Sequence, residues 1–235
     1  MSPPTYEVSR AFDPPPADLL GERWWGTAPA AAIACVRPES TRADVQARAR
    51  LMWSEAGLFG RFDVLDHGVR VVRQGFGVDV WKDSCVELFL EPKAGRGYFN
   101  FEFSAGGAWL ASHVLRPARA PDGRLLGARR LSPAEVAGAR VRATLPPRVE
   151  PPMAGPVEWR LAFFLPWTVF AAASLGRPLP GEVWRGNFYK CGDETPFPHW
   201  MSWSPVDALD FHRPDCFGQM RFVGPAKPPA AQGAG

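Results

Sequence analysis

Two stretches, SCVELFLE over Ser84–Glu91 and YFNFEFS over Tyr98–Ser104, alternate apolar and polar residues with a period of two. That is the repeat of an extended strand, whose successive side chains point to opposite faces of a sheet. Val86, Leu88 and Leu90 share one face of the first stretch, and Phe99, Phe101 and Phe103 share one face of the second. Both sets require burial. If the two stretches pair as neighbours, Glu87, Asn100 and Glu102 project together from the sheet's other side. WRGNFYK adds a third stripe, with Arg185, Asn187 and Tyr189 alternating against Trp184, Gly186 and Phe188.

Similar patterns recur along the chain. Residues 47–53, 58–65, 69–72, 85–90, 97–104 and 107–113 read as successive strands broken by Gly, Asp or Pro, with a hairpin turn at Ala105-Gly106. Further strands are expected at 139–145, 157–165, 184–190 and 218–223. About ten short strands separated by turn signals predict an all-β fold, an antiparallel β-sandwich. Long helices are scarce. Short helical turns are expected after Pro166, where proline suits a first turn, and at SPAEV, Ser132–Val136.

Three segments read as irregular. Residues 1–30, rich in Pro and Ala, form a lead-in to a single domain over 31–224, and 225–235 form a flexible tail. Within the domain, 116–156 carry eight Arg and read as a long surface connection containing one strand. That charge is read as solvated, with an anionic-ligand patch as the alternative.

Composition narrows the function. A net charge of +3 is too small to argue for nucleic acid. No apolar run approaches the roughly 20 residues of a membrane-spanning helix. The N-terminus shows no basic segment followed by an apolar one, so a cytoplasmic location is expected as the sequence stands. A trimmed N-terminus would instead fit a secreted or periplasmic protein. Cys35, Cys85, Cys191 and Cys216 form no C-x-x-C pair and stand near no His at zinc-ligand spacing. They read as free thiols, with a Cys191–Cys216 bridge as the alternative, and no metal site is expected.

The polar face is not that of an ordinary solvated sheet, which favours Thr, Lys, Ser and mixed charge. It carries Glu, Asn, Glu, Asn, Tyr and Arg, groups that make directional and often bidentate hydrogen bonds to vicinal hydroxyls. Trp81, just before the first stretch, and Trp200 and Trp203 in HWMSWSP offer indole faces on which a sugar ring can stack. Trp200 and Trp203 lie three apart, so only one reaches any given site. Asp83, near a strand start, reads as a turn cap.

At these residues the chain resembles a known family. Trp81-x-Asp83-x-x-x-Glu87 in VWKDSCVELFLEP, then YFNFEFSAGGAWLAS, WRLAFFLPW and WRGNFYKCGDETPFPHWMSWSPVDALDFHRPDCFGQMRF are similar to family 9 carbohydrate-binding modules of the DOMON-like superfamily, most closely to its stand-alone members. The resemblance covers about Arg48 to Phe222 and extends to a lead-in strand near Tyr6. It implies a β-sandwich of immunoglobulin-like or jelly-roll type that holds one or two sugar units between two tryptophans. By this resemblance Trp81 is the first stacking residue and Glu87 the carboxylate that accepts sugar hydroxyls. Trp200 or Trp203 is the second, Trp200 preferred. Asn100 or Glu102 supplies a further polar contact, with Asn187 and Tyr189 alongside. Arg185, Lys190 or Arg213 is the basic partner, Arg213 being carried forward. Calcium is structural in some members, but no EF-hand-like loop or tight Asp cluster stands here, and no cofactor is expected.

The implied function is therefore non-catalytic binding of a mono- or oligosaccharide, associated with carbohydrate catabolism and polymers such as xylan or cellulose. One alternative is a glycoside hydrolase or hydrolase subunit, whose two carboxylates stand about 5–10 Å apart. Asp83 with Glu87, or Glu87 with Glu102, would supply the pair, although no nucleophile elbow, zinc motif or phosphate loop is present. The other is haem binding, as in DOMON-like relatives, with Met201 and His199 or His212 as axial ligands.

Overall fold

A computed structural model describes residues 2–11 and 17–224. The expected tail, 225–235, lies outside them. The strands, in chain order, are β1 Thr5–Arg10, β2 Ala31–Ala32, β3 Cys35–Val36, β4 Gln46–Trp53, β5 Gly57–Val71, β6 Cys85–Glu91, β7 Tyr98–Ser104, β8 Trp109–Arg119, β9 Leu125–Arg130, β10 Arg140–Ala143, β11 Val149–Pro166, β12 Val183–Cys191, β13 Trp200–Ser202 and β14 Gly218–Phe222. They form two layers. One runs β14-β12-β6-β7-β8-β9, with β13 beside the second half of β12. The other runs β10-β11-β5-β4. The architecture is an all-β sandwich.

The layers are joined by β1, which pairs in parallel with β14 through Thr5–Val8 and with β4 through Ser9 and Arg10. The 1–30 lead-in is therefore not irregular throughout. The lead-in strand expected near Tyr6 is present, and in it Tyr6 and Val8 point inward and are buried. The Tyr6 hydroxyl accepts from the Leu51 amide at 2.8 Å and donates to the Pro29 carbonyl at 2.7 Å. A short helix, α1 (Glu22–Trp25), then seats Trp25 with Met52, Phe59 and Ala162 on the outer face of the second layer.

Between the layers lies the main core. Val86, Leu88, Leu90, Phe99, Phe101 and Phe103 of the first layer meet Leu51, Phe62, Val64, Leu161 and Phe163 of the second. Phe103 stacks on Phe163 at 4.7 Å, and Phe188 meets Phe62 edge-on at 6.2 Å. Packing is tight enough to require glycine at position 60. A Cβ there would lie 2.0 Å from the Phe163 ring. Gly60→Ala should therefore lower stability by about 1–3 kcal/mol in urea unfolding, the usual range for overpacking a filled core.

Two expectations about the strands change. Residues 58–65 and 69–72 are one strand, because Gly68, at φ 64, bends the chain without ending it. The 116–156 connection is structured. β8 continues to Arg119 and turns into β9, while β11 begins at Val149 and crosses irregularities between Val149 and Pro156 before pairing evenly with β5. The helical turn after Pro166 runs Trp167–Ala173. Ser132 and Glu135 close the other turn as a capping box, each accepting a backbone N–H of the other.

Candidate functional site

On the face of the first layer away from the core, register sets the polar residues side by side. Glu87 lies directly across from Glu102, and Glu102 across from Leu110. Phe89 lies across from Asn100, and Asn100 across from Ser112. These residues floor a cleft of about 840 Å³. Trp81, Trp200, Arg119, Phe211 and His212 also line it.

Both tryptophans are held by the loop after β12. Trp81 sits in a single helical turn, Val80–Lys82, whose carbonyls at Trp81 and Lys82 accept the amides of Asp193 and Glu194. The Trp200 indole donates to Asp193 Oδ1 at 2.9 Å. Each indole is only half-buried, so part of its surface remains free. Asp193 also lines the cleft, and burial pushes its carboxyl up to about 6. Sequence reasoning missed this residue because it acts across the fold on Trp81 and Trp200, with no periodicity to mark it.

The floor is short of hydrogen-bond donors. Asn100 donates its amide to Glu102 Oε1 at 2.6 Å. This leaves Asn100 Oδ1 and Glu102 Oε2 buried without a partner. Glu87 Oε1 accepts from the Cys191 thiol at 3.2 Å. Burial pushes the Glu102 carboxyl up to about 7. Burial first, and then the facing Glu102 charge, hold Glu87 well above the ordinary carboxylate range. Two adjacent buried carboxyls thus keep a proton where surface carboxyls would have lost theirs.

Charge fixes much of the cleft wall. Arg119, at the end of β8, grips Asp210 with two bonds of 2.8 and 2.5 Å and ties the β8–β9 hairpin to the 203–217 loop. Arg130 on β9 pairs with Asp79 at 2.7 Å. The Tyr98 hydroxyl bonds His212 Nδ1 at 2.6 Å. Some arginines read from sequence as solvated are thus wall-builders.

Other expected site residues lie elsewhere. Asn187 and Tyr189 belong to the right face but are covered by the 203–217 loop. Asn187 donates to the Ser204 carbonyl and accepts its amide, while Tyr189 stacks on Phe211 at 4.1 Å and donates to that residue's carbonyl. Trp203 faces the core side. It packs edge-on against Tyr6 and Phe188 and over Gly218, where a Cβ would lie 2.4 Å from its ring. Period two explains the difference, since Trp200 is across from Cys191 on the cleft face and Trp203 falls on the opposite one. Arg213 pairs with Asp207 and Asp215 outside the cleft. Arg185 engages Glu91 and the Pro214 carbonyl. Lys190 points inward to Asp66. Asp83 accepts from the amides of Val72 and Arg73 and from the Arg73 guanidinium, a structural clamp.

The residues considered for haem are scattered. Met201 is in the main core, His199 is bonded to Lys190, and His212 to Tyr98. Cys191 is opposite Cys85 rather than Cys216, whose thiol lies near Asp207. All four thiols are free.

Known proteins share this fold. The sequence profile of the family described as Carbohydrate-binding family 9 matches residues 27–222. A crystal structure of a candidate carbohydrate-binding protein from Bacteroides uniformis superposes with a TM-score of 0.83 at 25% identity, over 94% of this chain and 100% of that one. A family 9 carbohydrate binding module from Caldicellulosiruptor kristjanssonii in complex with glucose gives a TM-score of 0.63 at 12% identity, over 95% and 98% of the two chains. The same description in complex with cellotriose gives 0.61 at 12%, over 99% and 100%. No curated protein matches the chain in sequence. The low-identity pairs speak to the fold alone; the profile spans most of both layers and the cleft, and the chain belongs to carbohydrate-binding family 9.

Proposed function

We propose that the cleft binds a neutral mono- or oligosaccharide, with sugar rings stacked against Trp81 and Trp200 and hydroxyls donated to the floor. The observation that carries this reading is the pair of buried acceptors without partners, Asn100 Oδ1 and Glu102 Oε2, in a cleft lined by two partly buried tryptophans. A buried acceptor left unsatisfied costs about 1–3 kcal/mol, and a ligand hydroxyl removes that penalty. Glucose and cellotriose in the two Caldicellulosiruptor modules support a gluco-configured ligand.

Calorimetric titration with glucose, cellobiose and cellotriose tests the proposal. Dissociation constants between about 1 μM and 1 mM are expected, since a small ligand's contacts are partly offset by lost freedom. Trp81→Ala and Trp200→Ala should each weaken binding about tenfold or more, roughly 1.4 kcal/mol, with the circular dichroism spectrum unchanged. Unaltered affinity in both folded variants would remove the stacking role.

A further inference from the structure

We infer that Cys85, Glu87 and Cys191 form a binding site for a thiophilic divalent cation, Zn²⁺ foremost, at the base of the cleft. Cys85 and Cys191 are directly opposed on β6 and β12, and Glu87 follows on the same face. One ligand atom from each of the three lies within 4.8 Å of the others, and Cys191 Sγ is 3.2 Å from Glu87 Oε1. Tetrahedral zinc, with sulfur at about 2.3 Å and oxygen at about 2.0 Å, sets its ligand atoms roughly 3.5–3.8 Å apart. Shifts of a fraction of an ångström convert one arrangement into the other.

Two further observations point to a ligand here. Glu87 and Cys191 line the cleft, which gives an ion an entry path and an open coordination position for water. Glu102 Oε2 and Ser104 Oγ, on the residues directly across from Glu87 and Cys85, are buried without partners. The donor set selects the metal. Thiolates favour zinc and similar soft ions over calcium or magnesium, which take oxygen ligands. The two thiol protons are released to the buffer on binding. Sequence spacing excluded a zinc motif because the cysteines lie on different strands, and only the sheet register brings them together.

Cobalt titration of the full chain under a non-thiol reductant tests the site. The expected result is a near-ultraviolet thiolate-to-cobalt charge-transfer band that saturates at one equivalent and is abolished by excess Zn²⁺. The band should be lost in Cys191→Ser and in Cys85→Ser. As a measurement that needs no variant, alkylation is mapped by mass spectrometry in urea below the unfolding midpoint, where the buried Cys85 and Cys191 become reachable; there Zn²⁺ should protect them while Cys35 and Cys216 react as before. A folded wild-type protein with no such band at saturating cobalt would overturn the proposal. So would a band undiminished in both serine variants, or zinc protection confined to Cys35 and Cys216. Sugar titration plays no part in these readouts, so the metal site stands or falls apart from the sugar reading.

Discussion

Lys190→Met should lower the stability of the protein by about 3–5 kcal/mol, the range seen when one partner of a buried ion pair is removed. Lys190 is fully buried, and its ammonium has three donors and three acceptors. It lies 3.0 Å from Asp66 Oδ2, 2.9 Å from the Cys191 carbonyl and 2.6 Å from His199 Nε2. Burial pushes the His199 ring down to about 4, so it is neutral. Its Nδ1 is 2.7 Å from the Phe197 carbonyl and donates there, which leaves Nε2 free to accept from Lys190. Burial would raise the Asp66 carboxyl, but the Lys190 charge together with the hydrogen bonds donated by Lys190 and the His67 amide outweighs it and holds that group below its ordinary range. Asp66 also accepts from the Trp159 indole at 3.2 Å and the His67 amide at 2.8 Å. The cluster therefore joins β12 of one layer to β5 and β11 of the other with its main donors answered. Methionine fills the space but leaves the Asp66 charge buried. Urea unfolding at pH 7 measures the loss, and Lys190→Met combined with Asp66→Asn should recover much of it. A single variant within 1 kcal/mol of wild type would show that the ion pair contributes little beyond its own desolvation.

This cluster also shows where the sequence was legible. Period two placed Val86, Leu88, Leu90 and the Phe99–Phe103 set in the core and Glu87, Asn100 and Glu102 on the other side, because strand alternation is a local property of the backbone. The same rule separates Trp200 from Trp203 once β13 is known to be a strand. It fails where a non-periodic loop decides. Asn187 and Tyr189 share the cleft face but lie under Phe211 and Ser204, residues with no pattern to announce a cover. Lys190 in WRGNFYK falls among the inward positions, yet its charge made it look like a surface partner for sugar. Only Asp66 and His199, distant in sequence, make burial tolerable. Asp193 and the Arg119–Asp210 pair escaped notice for the same reason, since their partners are distant.

Glu102→Gln should make the sugar-free protein more stable than wild type at alkaline pH, and by an amount that vanishes in acid. The folded chain lifts the Glu102 carboxyl from its ordinary 4.5 to about 7, chiefly by burial, with the Arg130 charge and the Asn100 amide pulling the other way. Between those two values the folded state holds a proton that the unfolded state has released. Stability from this group is therefore fully present below about pH 4.5 and is lost as pH rises through about 7. A shift of this size corresponds to a loss on the order of 3 kcal/mol by pH 8. Glutamine has nearly the same shape and no charge to desolvate, so the variant lacks the loss. The difference in unfolding free energy between Glu102→Gln and wild type should be small at pH 4 and grow across pH 5–7. Taking that difference cancels the acid loss of the Lys190–Asp66 pair, which both proteins share. A gap that stays flat with pH would mean that water reaches the Glu102 carboxylate and solvates it in the open cleft. Saturating sugar supplies a second arm. Hydroxyls donating to Glu102 Oε2 favour the ionised carboxylate, so they should lower the pH at which the wild type loses its proton and narrow the gap to the variant.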